Sequence, residues 1–149
     1  MSAKVAIQVR NDLAELERVN EVFAAFWASN QLPEDAIFDF NLAVDEIFTN
    51  IVQHGYADQL DHEVHIELAF ENGTVFLTVE DDGVPFNPLD VPDVDVTAPL
   101  RERAIGGLGI YLVRKLMDGV EYARVDNRNR LVMKKKVSGS ESGANDKPL

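Results

Sequence analysis

Two runs of alternating residues separated by a tight turn signal constrain this chain more than any other feature. From Val64 to Phe70, and again from Thr74 to Glu80, apolar and polar side chains alternate, with Glu71-Asn72-Gly73 between them. A period of two puts successive side chains on opposite faces of a strand, and an Asn-Gly step tolerates the positive φ angles of a short hairpin turn. The segment reads as an antiparallel hairpin with one buried face. Lys4–Val9 alternates in the same way, and a second hairpin is expected from Tyr122–Val125 and Leu131–Val137 around Asp126-Asn127-Arg128-Asn129. The Lys134-Lys135-Lys136 run is expected to cover a solvated edge strand.

Helical spacing accounts for much of the remainder. Leu13, Leu16, Val19, Phe23 and Phe26 follow Asn11 and Asp12, either of which can cap a helix running to about Trp27. Leu32-Pro33 ends it, and Pro33-Glu34-Asp35 opens a second helix expected to reach about Gln53, with His54-Gly55-Tyr56 as its stop. A third is expected from Gly106 to about Asp118. Between strand and third helix, Asp81 to Ile105 holds Pro85, Pro88, Pro92 and Pro99 without sustained periodicity. An irregular stretch of that length inside a compact domain is usually a functional loop. The chain of 149 residues is therefore expected to be one domain over residues 1–137 with a disordered Ser/Gly-rich tail at 138–149.

Charge narrows the partners. The net charge is −12, which argues against nonspecific nucleic-acid or anionic-membrane binding, since both need a basic surface. The excess is uneven: residues 1–75 carry 3 basic and 14 acidic side chains, residues 76–149 carry 11 and 12. No cysteine is present, which removes disulfides, thiolate metal sites and a cysteine nucleophile. Without a signal-peptide pattern or a run long enough to span a bilayer, the expectation is a cytoplasmic protein.

Three constellations could carry chemistry. On the second helix, at about 100° per residue, Asp39, Glu46, Asn50 and His54 form a polar stripe beside the apolar face of Phe40, Val44, Ile47, Phe48, Ile51 and Val52. Glu46 and Asn50 are one turn apart, so a carboxylate and a carboxamide oxygen can reach one ligand, as base and hard-cation ligand. The second is Glu80-Asp81-Asp82-Gly83 at a strand end, where Asp81 could accept a hydrogen bond from a base amino group. The third is Gly106-Gly107-Leu108-Gly109 opening a helix, whose free N–H groups can bind phosphate without a basic side chain. It is neither a Walker loop nor a dinucleotide fingerprint, for the required Lys and third glycine are missing. Each has an ordinary structural alternative: a solvated helix face, a turn, a glycine-rich helix start.

Their order is more specific than any of them. Glu-x-x-x-Asn on a helix, Asp-x-Gly at a strand end, a long proline-bearing loop and Gly-Gly-x-Gly opening a helix resemble the GHKL (Bergerat) ATPase superfamily. Asp45 to Tyr56, Glu80 to Pro88 and Gly106 to Asp118 are similar to the three nucleotide motifs of its small anti-sigma-factor serine kinases. The resemblance implies an α+β fold, a two-layer sandwich with a mixed, mostly antiparallel sheet covered on one face by helices. It implies Glu46 as general base, Asn50 as ligand of an Mg2+ bridging the ATP phosphates, and Asp81 with Gly83 at the adenine. It further implies Gly106, Gly107, Leu108 and Gly109 at the phosphates, a lid over about Asn87–Ile105, and Arg101 and Arg103 as cations for the γ-phosphate. Pro85 stands where many superfamily members have glycine, which stiffens the loop. The implied function is phosphorylation of a STAS-type anti-sigma-factor antagonist and sequestration of a sigma factor or other client by a homodimer. An acidic first helix bearing Glu15, Glu17 and Glu21 would suit a basic partner surface. The alternative is a catalytically silent ATP-dependent binding switch. His54 is read as structural, and His62 and His65 as unsuited to a metal pair because they point to opposite faces.

Overall fold

The computed structural model describes residues 2–56, 58, 60–90 and 107–137. Its elements are β1 (Ser2–Arg10), α1 (Leu16–Ser29), α2 (Glu34–His54), β2 (Glu63–Glu71), β3 (Thr74–Asp81), α3 (Gly107–Leu116), β4 (Gly119–Val125) and β5 (Arg128–Lys136). The strands form one sheet in the order β1-β2-β3-β5-β4, and all four pairings are antiparallel. Helices cover one face, so the α+β two-layer architecture expected from the sequence is the one observed, but among the described residues the sheet is antiparallel instead of mixed, since hairpins join β2 to β3 and β4 to β5 and no parallel pair forms.

Alternation decides what lies between the layers. Val64, Ile66 and Leu68 of β2, Val75, Leu77 and Val79 of β3, and Leu131 and Met133 of β5 point inward and are buried. They form one core with Val19, Phe23, Phe26 and Trp27 of α1, Phe40, Val44, Ile47 and Phe48 of α2, and Ile110 and Val113 of α3. Trp27 is also anchored by its indole N–H, which donates to the Pro33 carbonyl at 2.8 Å and fixes the approach of α2 to α1. The opposite sheet face carries cross-strand ion pairs, Lys4 with Glu67 at 4.0 Å and Arg130 with Glu80 at 3.4 Å. Polar side chains there can stay solvated, so no second helical layer is required.

Local geometry departs from the sequence expectations in several places. Residues Leu13–Glu15 form a 3-10 turn capped by Asp12, whose carboxylate accepts from Ala14 N at 2.9 Å, and the α-helix starts only at Leu16. Glu15 is not part of an exposed acidic face: it accepts from Arg10 N at 2.9 Å and pairs with Arg18 at 3.4 Å. The Arg10 backbone bond is the main reason its carboxyl is held below the usual range. Glu17 and Glu21 are exposed. The third helix ends at Leu116 instead of Asp118. The β4–β5 turn is tighter than expected. Asp126 and Asn127 alone form it, with φ of 53° and 64°, and two positive φ values match the right-handed twist of a hairpin. Arg128 and Asn129 thereby become strand residues.

β5 is not an edge strand. It lies between β3 and β4, and Lys135 falls in its inward phase. Its Nζ donates to the Leu116 carbonyl at the C-terminus of α3 at 2.7 Å and approaches Asp39 Oδ2 at 3.6 Å. Asp39, two turns before Glu46 on the polar stripe of α2, is thus occupied with Lys135. A cation at a helix C-terminus meets the negative end of the dipole and an otherwise free carbonyl. Lys135→Ala is expected to cost about 1 kcal/mol of stability in urea unfolding, whereas Lys136→Ala, on the exposed phase, changes it by less than about 0.5 kcal/mol.

Candidate functional site

A cleft of about 320 Å³ opens between α2, the start of α3 and the ends of β3, β4 and β5. Its walls are Ile47, Ile51, Val79, Ile110 and Leu131, with Val84, Pro85, Phe86 and Pro88 along one rim. Polar groups are few: Asn50 and His54 on α2, Asp81, Tyr122 and Asn129. An apolar slot with a small number of converging polar groups suits a flat heterocycle.

Asp81 is where β3 places it because 75, 77, 79 and 81 share the inward phase. It is 4% exposed, one of two buried polar or charged residues among the described ones, and the other is Asn129. Gly83 N donates to Asp81 Oδ2 at 2.8 Å and Asn129 Nδ2 donates to the same oxygen at 3.2 Å. Oδ1 receives neither bond. Burial pushes the Asp81 carboxyl above the ordinary range, opposed by the Gly83 N–H and the Asn129 amide.

Gly83 serves this geometry from behind the wall. A Cβ there would run into the Gly55 carbonyl oxygen and come 2.7 Å from Asp81 Oδ2, so only glycine lets the two loops meet. Val84 N seals the contact by donating to Gly55 O at 2.9 Å. Gly83 does not itself line the cleft. Outside this junction, Tyr56 stacks on His62 at 4.0 Å, and His62 stands between Asp58 at 2.8 Å and Asp82 at 3.3 Å. The bond to Asp58 is the largest cause of the raised imidazole pKa. His65 faces Gln8 at 3.1 Å on the solvated sheet surface.

Glu46 and Asn50 occupy successive turns of α2, but only Asn50 lines the cleft. Glu46 meets α3 instead: its Oε1 fills the space that a Cβ on Gly109 would need. The absence of a side chain at Gly109 lets the first turn of α3 close on the carboxylate. Gly107 opens α3. Behind Glu46, burial and the Glu46 charge raise the Asp45 carboxyl, with Asn20 opposing. Arg101, Arg103 and Gly106, and the lid positions 91–105, lie outside the described residues, as does the Leu108 side chain.

Asn129 is the site residue that sequence reasoning missed. Assigned to a four-residue turn, it looked like ordinary turn chemistry; the two-residue turn puts it on β5, opposite Asp81 in the ladder. The only available signal was the inward phase it shares with Leu131 and Met133. Arg124 of β4 adds a bond to the Gly83 carbonyl at 2.9 Å.

A two-layer α+β sandwich with an inward aspartate at the foot of an apolar cleft, a helical Glu and Asn beside it and a glycine-led helix end against them defines a nucleotide-binding domain. The chain belongs to the histidine kinase-like ATPase domain family, whose sequence profile matches residues 9–135. It is 26% identical over 129 residues to the anti-sigma F factor of Oceanobacillus iheyensis, covering 83% of this chain and 88% of that one. It is 29% identical over 119 residues to the serine-protein kinase RsbW of Listeria monocytogenes, covering 77% and 75% respectively. Among solved structures, the RsbU and RsbW domains of a Mycobacterium tuberculosis protein superpose with a TM-score of 0.63 at 17% identity, over 91% of this chain and 32% of that one. A blue-light activated histidine kinase from Erythrobacter litoralis gives 0.55 at 22% identity, over 74% of this chain and 33% of that one. These two likenesses concern the fold. No helix among the described residues is long and apolar enough to cross a membrane.

Proposed function

We propose that this chain is an ATP-dependent protein serine/threonine kinase that phosphorylates a STAS-type anti-sigma-factor antagonist and, as an anti-sigma factor, sequesters a sigma factor or related client. The observation that carries the reading is the packing of Glu46 against Gly109 beside Asn50. A base, a cation ligand and the N-terminal turn of a helix then lie within one turn of each other, next to a cleft shaped for a purine. Asp81 accepts the adenine amino group, Gly83 holds Asp81 in place, and the α3 N–H groups face the phosphates. Asn50 would hold an Mg2+, which when bound would neutralise phosphate charge. Glu46 takes the proton of the attacking serine hydroxyl. Arg101 and Arg103 belong to the same proposal as γ-phosphate cations, with Gly106, Gly107, Leu108 and Gly109 as the phosphate turn.

The partner assignment draws on the names of the relatives and on charge. Glu17 and Glu21 remain exposed on α1 and suit a basic client surface, while the net charge of −12 disfavours direct nucleic-acid binding. A cytoplasmic homodimer is part of the same reading. The test is incubation with γ-labelled ATP, Mg2+ and the candidate STAS-type antagonist, comparing wild type with Asn50→Ala. Label on a partner serine, lost in the variant, is expected. ATP bound without transfer to the antagonist identifies a silent switch module instead.

A further inference from the structure

Asn129 has four hydrogen-bonding partners. Its Nδ2 donates to Asp81 Oδ2 at 3.2 Å and to the Val84 carbonyl at 2.8 Å; its Oδ1 accepts from Phe86 N at 3.2 Å and from the Tyr122 hydroxyl at 2.6 Å. A carboxamide offers donors on one side and an acceptor on the other, so these partners decide which side meets Asp81. Val84 and Phe86 belong to the loop after β3 and are themselves held by Asn129. The loop is also tied to β4 by Arg124 on the Gly83 carbonyl at 2.9 Å and to the end of α2 by Val84 N on Gly55 O at 2.9 Å. Tyr122 ties the amide itself to β4. It stands on β4, directly opposite Leu131 in the ladder, and makes the shortest of the four bonds. Its hydrogen on the amide oxygen also polarises the N–H groups on the far side, since bonds in a chain reinforce one another.

With the amide turned this way, two donors converge on Asp81 Oδ2 and Oδ1 is left to accept. A carboxylate presented so takes a ring amino group and repels a ring carbonyl. We propose that Tyr122, acting through Asn129, is a positioning residue that sets the purine selectivity of this cleft, favouring a 6-amino over a 6-oxo nucleotide. Asp81 remains the selecting group; the Val84 carbonyl and the Phe86 N–H set the sense of the amide, and the Tyr122 hydroxyl holds it in place against Asp81. This rests on the ATPase reading of the cleft.

The experiment measures dissociation constants for ATP and ITP by competition against a fluorescent nucleotide, with thermal unfolding alongside, for wild type, Tyr122→Phe and Asn129→Asp. Tyr122→Phe keeps the ring in the cleft wall and deletes only the hydroxyl. It is expected to lower the ATP-over-ITP ratio roughly three- to tenfold, the worth of one buried hydrogen bond. Asn129→Asp is expected to lower it further, because two facing carboxylates share a proton that can be offered to the 6-oxo group. Parallel weakening of both nucleotides, with the ratio within about twofold of wild type, makes Tyr122 part of the wall and overturns the proposal alone. A wild type that binds neither nucleotide overturns the ATPase reading and this proposal together. Should Asn129→Asp fail to fold, Tyr122→Phe decides.

Discussion

Glu46→Gln is expected to lower the rate of phosphoryl transfer to a serine substrate by about a hundred- to ten-thousand-fold, the range spanned by a positioned general base. ATP affinity should stay close to that of wild type. The contrast follows from placement: Asn50 lines the cleft, whereas Glu46 lies outside it, against Gly109. Glutamine keeps the length and planarity of the side chain, so the packing of α2 on α3 survives and only the basic oxygen is lost. Single-turnover transfer of labelled phosphate, measured beside equilibrium ATP binding, separates the two quantities. An undiminished transfer rate removes Glu46 from the chemistry; a parallel collapse of binding makes it a structural support for α3.

Asp81→Asn acts on the other quantity. The variant should bind ATP about 2–3 kcal/mol more weakly, roughly 30- to 150-fold, because a charge-assisted bond is lost and an amide N–H2 can face the adenine amino group. Folding should not suffer in proportion. Burial raises the Asp81 carboxyl above its ordinary 3.8 in the folded chain, so the native state holds its proton to higher pH than the unfolded state does. By linkage, stability then falls as pH rises from the unfolded value through the raised native one, and the amide escapes that loss at neutral pH. Binding has the opposite pH dependence. Gly83 and Asn129 both donate to Oδ2, so a proton settles on Oδ1 and turns the acceptor into a donor. ATP affinity of wild type should therefore decline on acidification at a pH above the ordinary aspartate range, and the Asp81→Asn variant should lack that step. Calorimetric titration at several pH values checks this; identical profiles for the two proteins would remove Asp81 from the base contact.

Much of this site was legible because its residues sit at fixed offsets along single elements. Glu46 and Asn50 are one helical turn apart whatever surrounds them, and an aspartate two residues before a glycine at a strand end keeps that relation in any fold. Asn129, Tyr122 and Lys135 were illegible for the opposite reason. Their roles depend on which strand lies beside β5, and alternation is equally compatible with an edge or an interior position. Lys135 was expected in solvent and instead closes the C-terminus of α3, where it pairs with Asp39 of the α2 polar stripe. One register detail governs Asn129. The two-residue turn puts its side chain in the inward phase of β5, where it bonds Asp81.

By itself, then, the sequence determined the hairpins, the long second helix with its polar stripe, and the three motifs whose order identifies the family, since all of these follow from local periodicity and turn chemistry. Only the tertiary structure decided that Glu46 closes on Gly109 while Asn50 enters the cleft, that Gly83 is required by Gly55, and that Asn129 and Tyr122 stand behind Asp81. Those contacts join residues distant along the chain. They arise from strand order and helix packing, which the pattern of any one segment does not encode.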